Sequence, residues 1–212
     1  MGITERKQRH KEDLRNRILE AAKKLFVQQG YEATSIRKIA KEIEFSPTTI
    51  YIYYKDKNDI IYALHQEGFN MLREKFSTLM LVENPFERLK AIGKTYIEFG
   101  RTNPEFYEVM FMMKEPMDFI GNSCMDDKWE DGEKVFGILE QTITECQTKG
   151  YFTNLPVKLV ALQAWTAVHG IVSLYISQHL FKLNETLGLN YDMQVVTDQA
   201  FQLFSTYLER TK

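Results

Sequence analysis

The chain has 212 residues, is 44% hydrophobic and 26% charged, and carries a net charge of −2. This is the balance of an ordinary globular protein, and five prolines and eleven glycines are too few for long disordered linkers. Cys124 and Cys146 form neither a metal-ligand spacing nor a disulfide framework, so a reduced, cytoplasmic setting is expected. The opening MGITERKQRHKEDLR has no apolar core and does not read as a signal peptide. The small net charge conceals an asymmetry. Residues 1–57 hold thirteen Lys and Arg against eight Asp and Glu, a charge of +5, which leaves −7 on residues 58–212. A basic head on an acidic body suits a polyanionic partner for the head.

In chain order, the first helix is marked by Leu14, Ile18, Ala21, Ala22, Leu25 and Phe26, spaced by three and four, with Gly30 as its C-terminal cap. Thr34-Ser35 supplies N-cap residues for a short second helix, whose buried stripe is Ile36, Ile39, Ala40 and Ile43. The next run, SPTTIYIYY, has the composition of a strand. Ser46 is nevertheless an N-cap type, and Pro47 stands where proline is pre-set for a first helical turn. Ile50 and Tyr54, four apart, share a face, and no second strand is available for pairing. A short helix over 47–53 is therefore expected, against its own propensity.

Further helices are expected from Asp56 to about Met80, from Pro85, from Pro104, from about Lys128 to Thr148, over 156–179 and over 193–209, with a loop at 114–127. From Leu159 to Phe181 no residue is charged, long enough to span a bilayer. Gln163, Thr166, His169, Ser173, Ser177, Gln178 and His179 would be costly in lipid, so a helix buried by protein on most of its circumference is expected, with no membrane partner. The fold class is all-α, with a three-helix head on a body of roughly six helices.

Two short helices joined by a tight turn over 34–53 make a helix-turn-helix, whose second helix enters a DNA major groove. With Ile50 and Tyr54 inward, Thr48, Thr49, Ile52 and Tyr53 face outward and Tyr51 lies at the flank. Hydroxyls bond phosphate oxygens, and Ile52 or a threonine methyl touches a thymine methyl. Lys57 and the amides of the following helix N-terminus suit a phosphate. The basic run Arg6–Arg17 has two readings, a solvated face or an arm that contacts DNA. Trp165 and His169 are a packed core pair or line a ligand cavity. Met110, Met112 and Met113 favour core filling. His169 and Cys146 lack a third ligand for a metal. There is no nucleophile elbow, phosphate loop or metal-ligand pair with a general base, so no enzyme activity is expected.

The stretch ILEAAKKLFVQQGYEATSIRKIAKEIEFSPTTIYIYYKDKNDIIYAL, residues 18–64, resembles the N-terminal domain of TetR-type transcriptional regulators. NPEFYEVMF (103–111) and AWTAVHGIVSLYI (164–176) resemble the Trp-His-Gly type of C-terminal domain in these proteins. The resemblance implies a DNA-binding domain over 11–71 and a ligand-binding and dimerisation domain over 72–212. By position, it implies phosphate contacts at Ser35, Thr49, Tyr51 and Lys57, and base reading at Pro47, Thr48, Ile52 and Tyr53. It implies double-stranded DNA with a near-palindromic operator as partner, and a homodimer through helices 156–179 and 193–209. A small apolar or amphipathic effector is expected and no cofactor is required. Candidate effector contacts are Tyr96, Phe106, Tyr107, Met110, Trp165 and His169. The function so implied is a homodimeric repressor released by a small molecule. The alternatives are a constitutive regulator without effector and an enzyme using the helical body. Two positions depart from the family pattern: Glu44 in the turn and Thr48 each stand where glycine is common.

Overall fold

The computed structural model describes residues 2–122 and 129–210. Among these residues there are eleven α-helices, one π-helical turn and no strand. The helices are α1 (Ile3–Gln29), α2 (Ile36–Glu42), α3 (Pro47–Tyr51), α4 (Lys57–Leu79), α5 (Pro85–Thr102) and α6 (Pro104–Tyr107). After the π-turn Glu108–Met112 come α7 (Glu115–Asn122), α8 (Glu130–Thr148), α9 (Val157–Ile176), α10 (His179–Leu187) and α11 (Met193–Glu209). The all-α expectation holds, with two more helices than sequence periodicity shows.

The chain divides into two compact units, one of residues 1–68 with 105–129, the other of 69–104 with 130–212. In the first unit the core gathers Leu14, Ile18, Ala22 and Phe26 of α1, Ile36 and Ile39 of α2, Ile50 of α3, and Ile60, Ile61 and Leu64 of α4. Phe106, Tyr107, Val109 and Met110 are buried in the same unit. The approach there is close: a Cβ on Gly68 would lie 2.4 Å from Met110 Sδ. In the second unit α5 is the central helix and packs against α8, α9 and α11. Gly93 lets α11 approach, since a Cβ there would meet the Phe201 ring at 2.5 Å. Arg101 bridges the same pair of helices, 3.0 Å from Asp198 and 3.1 Å from Thr197 Oγ1.

Three expectations are corrected. The 114–127 segment is not all loop. Glu115–Asn122 forms α7, with Pro116 tolerated in its first turn, while 123–127, including Cys124, lie outside the described residues, as does Lys128. The helix expected over 156–179 ends at Ile176, because Gln178 adopts φ +64° and a new helix starts at His179. Its burial is also narrower than expected. Val160, Ala161, Ala164, Val168 and Val172 form one buried stripe, while Leu159, Leu162 and Leu174 are exposed.

The turn between α2 and α3 is a Schellman close. Glu44 N–H donates to Lys41 O at 3.2 Å and Phe45 N–H to Ala40 O at 2.9 Å. That geometry holds Glu44 at φ +61°, a left-handed conformation in which a side chain costs about 1–2 kcal/mol. Glu44→Gly is therefore expected to stabilise the chain by roughly 0.5–1 kcal/mol, the relief of strain less the chain entropy of glycine. Urea unfolding of the two proteins checks this, and an unchanged or lower midpoint contradicts it.

Candidate nucleic-acid interface

α3 is barely a turn and a half, and each of its ends is fastened. At its start Thr49 N–H donates to Ser46 Oγ at 3.2 Å, and the two hydroxyls of Ser46 and Thr49 lie 2.9 Å apart. At its end Tyr53 and Tyr54 N–H both donate to Ile50 O, at 2.9 and 3.0 Å. Ile50 is fully buried and Tyr54 is 4% exposed. On the other side, Ile52 is 71% exposed and Tyr51 57%, and Thr48 is exposed. Pro47, Thr49 and Tyr53 are half-buried at the margins.

α1 holds this helix from both sides. Arg15 Nε donates to the Tyr54 hydroxyl at 3.1 Å, just beyond α3. The Arg17 guanidinium donates to Ile43 O at 3.0 Å and lies 5.1 Å from the Phe45 ring centroid, just before α3. These two arginines therefore leave the basic run expected to be solvated or to reach DNA, and serve as clamps. Sequence spacing alone carries no signal for that. Lys24 pairs with Glu42 at 2.7 Å on the same side of α1.

Ser35 caps α2, accepting from Lys38 N–H at 3.3 Å, and is exposed. Lys57 stands at the start of α4, where Asp56 Oδ1 accepts from Asp59 N–H at 2.9 Å as the N-cap. Its ammonium donates to Tyr31 O at 2.8 Å and lies 3.8 Å from the Tyr31 ring centroid. Tyr31 itself packs on Phe26 and bonds Asn58 through its hydroxyl. Lys57 thus ties the end of α1 to α4 with one of its three donors. Ser35, Pro47, Thr48, Thr49, Tyr51, Ile52, Tyr53 and Lys57 all belong to the first unit, and Thr48, Tyr51 and Ile52 form its exposed α3 face.

The candidate effector contacts fall in two groups, each described within its own unit. Phe106, Tyr107 and Met110 are core residues of the first unit, where the Lys23 ammonium lies 3.9 Å from the Phe106 ring centroid. Tyr96, Trp165 and His169 cluster in the second unit. Trp165 Nε1 donates to the Tyr96 hydroxyl at 3.1 Å, and that hydroxyl lies 3.0 Å from His169 Nδ1. Trp165 meets His169 edge-on at 5.8 Å and Phe136 at 6.2 Å. Burial holds the His169 imidazole below its ordinary titration range. The unfolded chain then takes up the His169 proton first as pH falls below about 6.5, so this residue's contribution to stability is present above that pH and lost below it. Between pH 5 and 7, wild type is expected to lose more stability on acidification than His169→Gln. Denaturation midpoints across that range test it, and parallel curves contradict it.

Residues 18–64 match the model of bacterial regulatory proteins of the tetR family, and residues 89–197 match the tetracyclin repressor-like C-terminal domain. An HTH-type transcriptional regulator of Staphylococcus aureus (strain USA300) is 33% identical over 150 residues, 70% of this chain and 81% of that protein. The regulator HbdR of Aromatoleum sp. (strain CIB) is 47% identical over 51 residues, 24% of this chain but only 22% of HbdR. In structure, the fatty acid degradation regulator FadR from Bacillus halodurans superposes with a TM-score of 0.71 at 20% identity, covering 89% of this chain and 93% of FadR. The chain belongs to the TetR family of DNA-binding transcriptional regulators.

Proposed function

We propose that this regulator is a cytoplasmic homodimeric repressor that reads a near-palindromic operator and is released from it by a small molecule. The observation that carries the DNA reading is the division of α3 into a buried Ile50–Tyr54 face and an exposed Thr48–Tyr51–Ile52 face. In this reading Thr48, Ile52, Tyr53 and Pro47 meet base edges, and Ser35, Thr49, Tyr51 and Lys57 meet phosphates. Lys57 does so with the donors that Tyr31 leaves unused, so it also steadies the fold.

Dimerisation is supported by apolar surface on α9 and α11. Val195, Leu203 and Tyr207 are exposed along one stripe of α11, and Leu159, Leu162 and Leu174 along α9. By length and composition alone α9 could cross a membrane. Its polar residues and its place against α5, α8 and α11 fit a protein seam better than lipid. Two copies so joined set two recognition helices about 34 Å apart, on successive major grooves. An effector held near Tyr96, Trp165 and His169 would act by binding better to a dimer whose spacing departs from that repeat. An acyl-like molecule is the effector class that the description of the similar FadR structure as a fatty acid degradation regulator suggests. A second reading, a constitutive regulator, is favoured by one fact: Tyr96, Trp165 and His169 already bond one another.

Selection of bound duplexes from random sequence tests the proposal. A two-fold symmetric consensus is expected, and a single asymmetric half-site contradicts the dimer. On that operator, Tyr53→Ala is expected to change preference by about 1–3 kcal/mol at one base pair. Lys57→Ala should weaken every sequence alike and flatten the salt dependence by about one counterion per protomer, roughly two for the bound dimer. Equal loss on all sequences from both variants contradicts this division of roles. Leu203→Arg is expected to sediment as a folded monomer, and a persistent dimer moves the seam elsewhere.

A further inference from the structure

α1 begins at Ile3, residues 5–13 are exposed throughout, and Leu14 is the first buried side chain among its described ones. The charges on this overhang are sorted by face. Lys7 and Lys11 continue, in steps of four and three, the stripe of Leu14, Ile18, Ala21 and Leu25, which is buried against the head. The stripe that is apolar over the core becomes basic beyond it. Arg6 and His10 lie beside it and lead to Arg17, in steps of four and seven. The acids Glu5 and Glu12 stand on the opposite face with Gln8 and Arg9, and Asp13 lies on the flank near Arg6 and His10. That back face carries two acids to one base, whereas the stripe of Lys7 and Lys11 carries no acid.

The position of the overhang follows from the two clamps. Arg17 reaches the turn before α3 and Arg15 reaches Tyr54 after it, so residues 15–17 of α1 are tied to both ends of the recognition helix. The overhang continues α1 from that point. At 1.5 Å per residue, Lys11 and Lys7 stand about 6 and 12 Å along the helix from Arg15.

We propose that the overhang of α1 is a second DNA-binding element, in which Lys7 and Lys11, with Arg6 beside them, contact phosphates flanking the groove that α3 occupies. It adds affinity without adding sequence preference. This rests on the DNA reading above, and the experiment keeps the two apart. Full-length wild type, Lys7→Gln/Lys11→Gln and Arg9→Gln are titrated with the selected operator and with a scrambled duplex across a range of salt. The double variant is expected to flatten the salt slope by about two per protomer, roughly 0.9 for each phosphate no longer neutralised and so roughly 3.6 for a bound dimer, and to bind both duplexes more weakly by a similar factor of at least about tenfold. A shorter hydroxyl-radical footprint accompanies it. Arg9→Gln, on the acid-bearing face, should leave the slope unchanged. If the double variant keeps the wild-type slope and footprint while Tyr53→Ala still alters base preference, the overhang is a solvated face and the proposal fails alone. If wild type shows no preference for any duplex, the DNA reading itself fails.

Discussion

The recognition surface depends on the burial of two side chains, Ile50 and Tyr54, on one face of a helix too short to stand alone. Isolated helices of this length do not persist in water, and Thr, Ile and Tyr add a few tenths of a kcal/mol each against helix. Burying Ile50 returns about 1.5–3 kcal/mol, and the Ser46 cap about one more. The outcome is thus decided by tertiary packing and capping together. The same packing fixes the rotation of α3, because a helix with Ile50 and Tyr54 inward has no choice but to turn Thr48 and Ile52 outward.

The clamps from α1 and the strain in the turn belong to one arrangement. Arg17 takes the Ile43 carbonyl at the end of α2, where helix carbonyls otherwise lack partners. Glu44 accepts a left-handed backbone so that Phe45 can close the Schellman bond and the chain can turn sharply into Ser46. The cost at Glu44 is borne by the bonds on either side of it. Strain of this kind persists where the surroundings over-determine the backbone, and here those surroundings are α1, α2 and the cap of α3.

Much of this is legible in the sequence because it is local. Ser35, Ser46, Asp56 and Gly30 announce their helix ends by type, Pro47 its own place, and the four-residue step from Ile50 to Tyr54 the buried face. What is not legible depends on long-range placement. Arg15 and Arg17 look like the rest of a basic run, and only the position of α3 turns them inward. Phe106, Tyr107 and Met110 have the spacing of a buried face, but that spacing carries no signal for the unit whose core they join. α7 is hidden by Pro116, and the break before α10 by Gln178, a residue with no turn signature in a left-handed conformation.

Native-state hydrogen exchange tests the central claim, that α3 borrows its helicity from the packed head. The amides of Tyr53 and Tyr54, both bonded to Ile50 O, are the reporters. The account predicts that they exchange only when the head opens, with the same free energy of opening as the buried α1 amides near Ile18 and Ala22. Exchange of Tyr53 and Tyr54 at free-peptide rates, with α1 still protected, would contradict it.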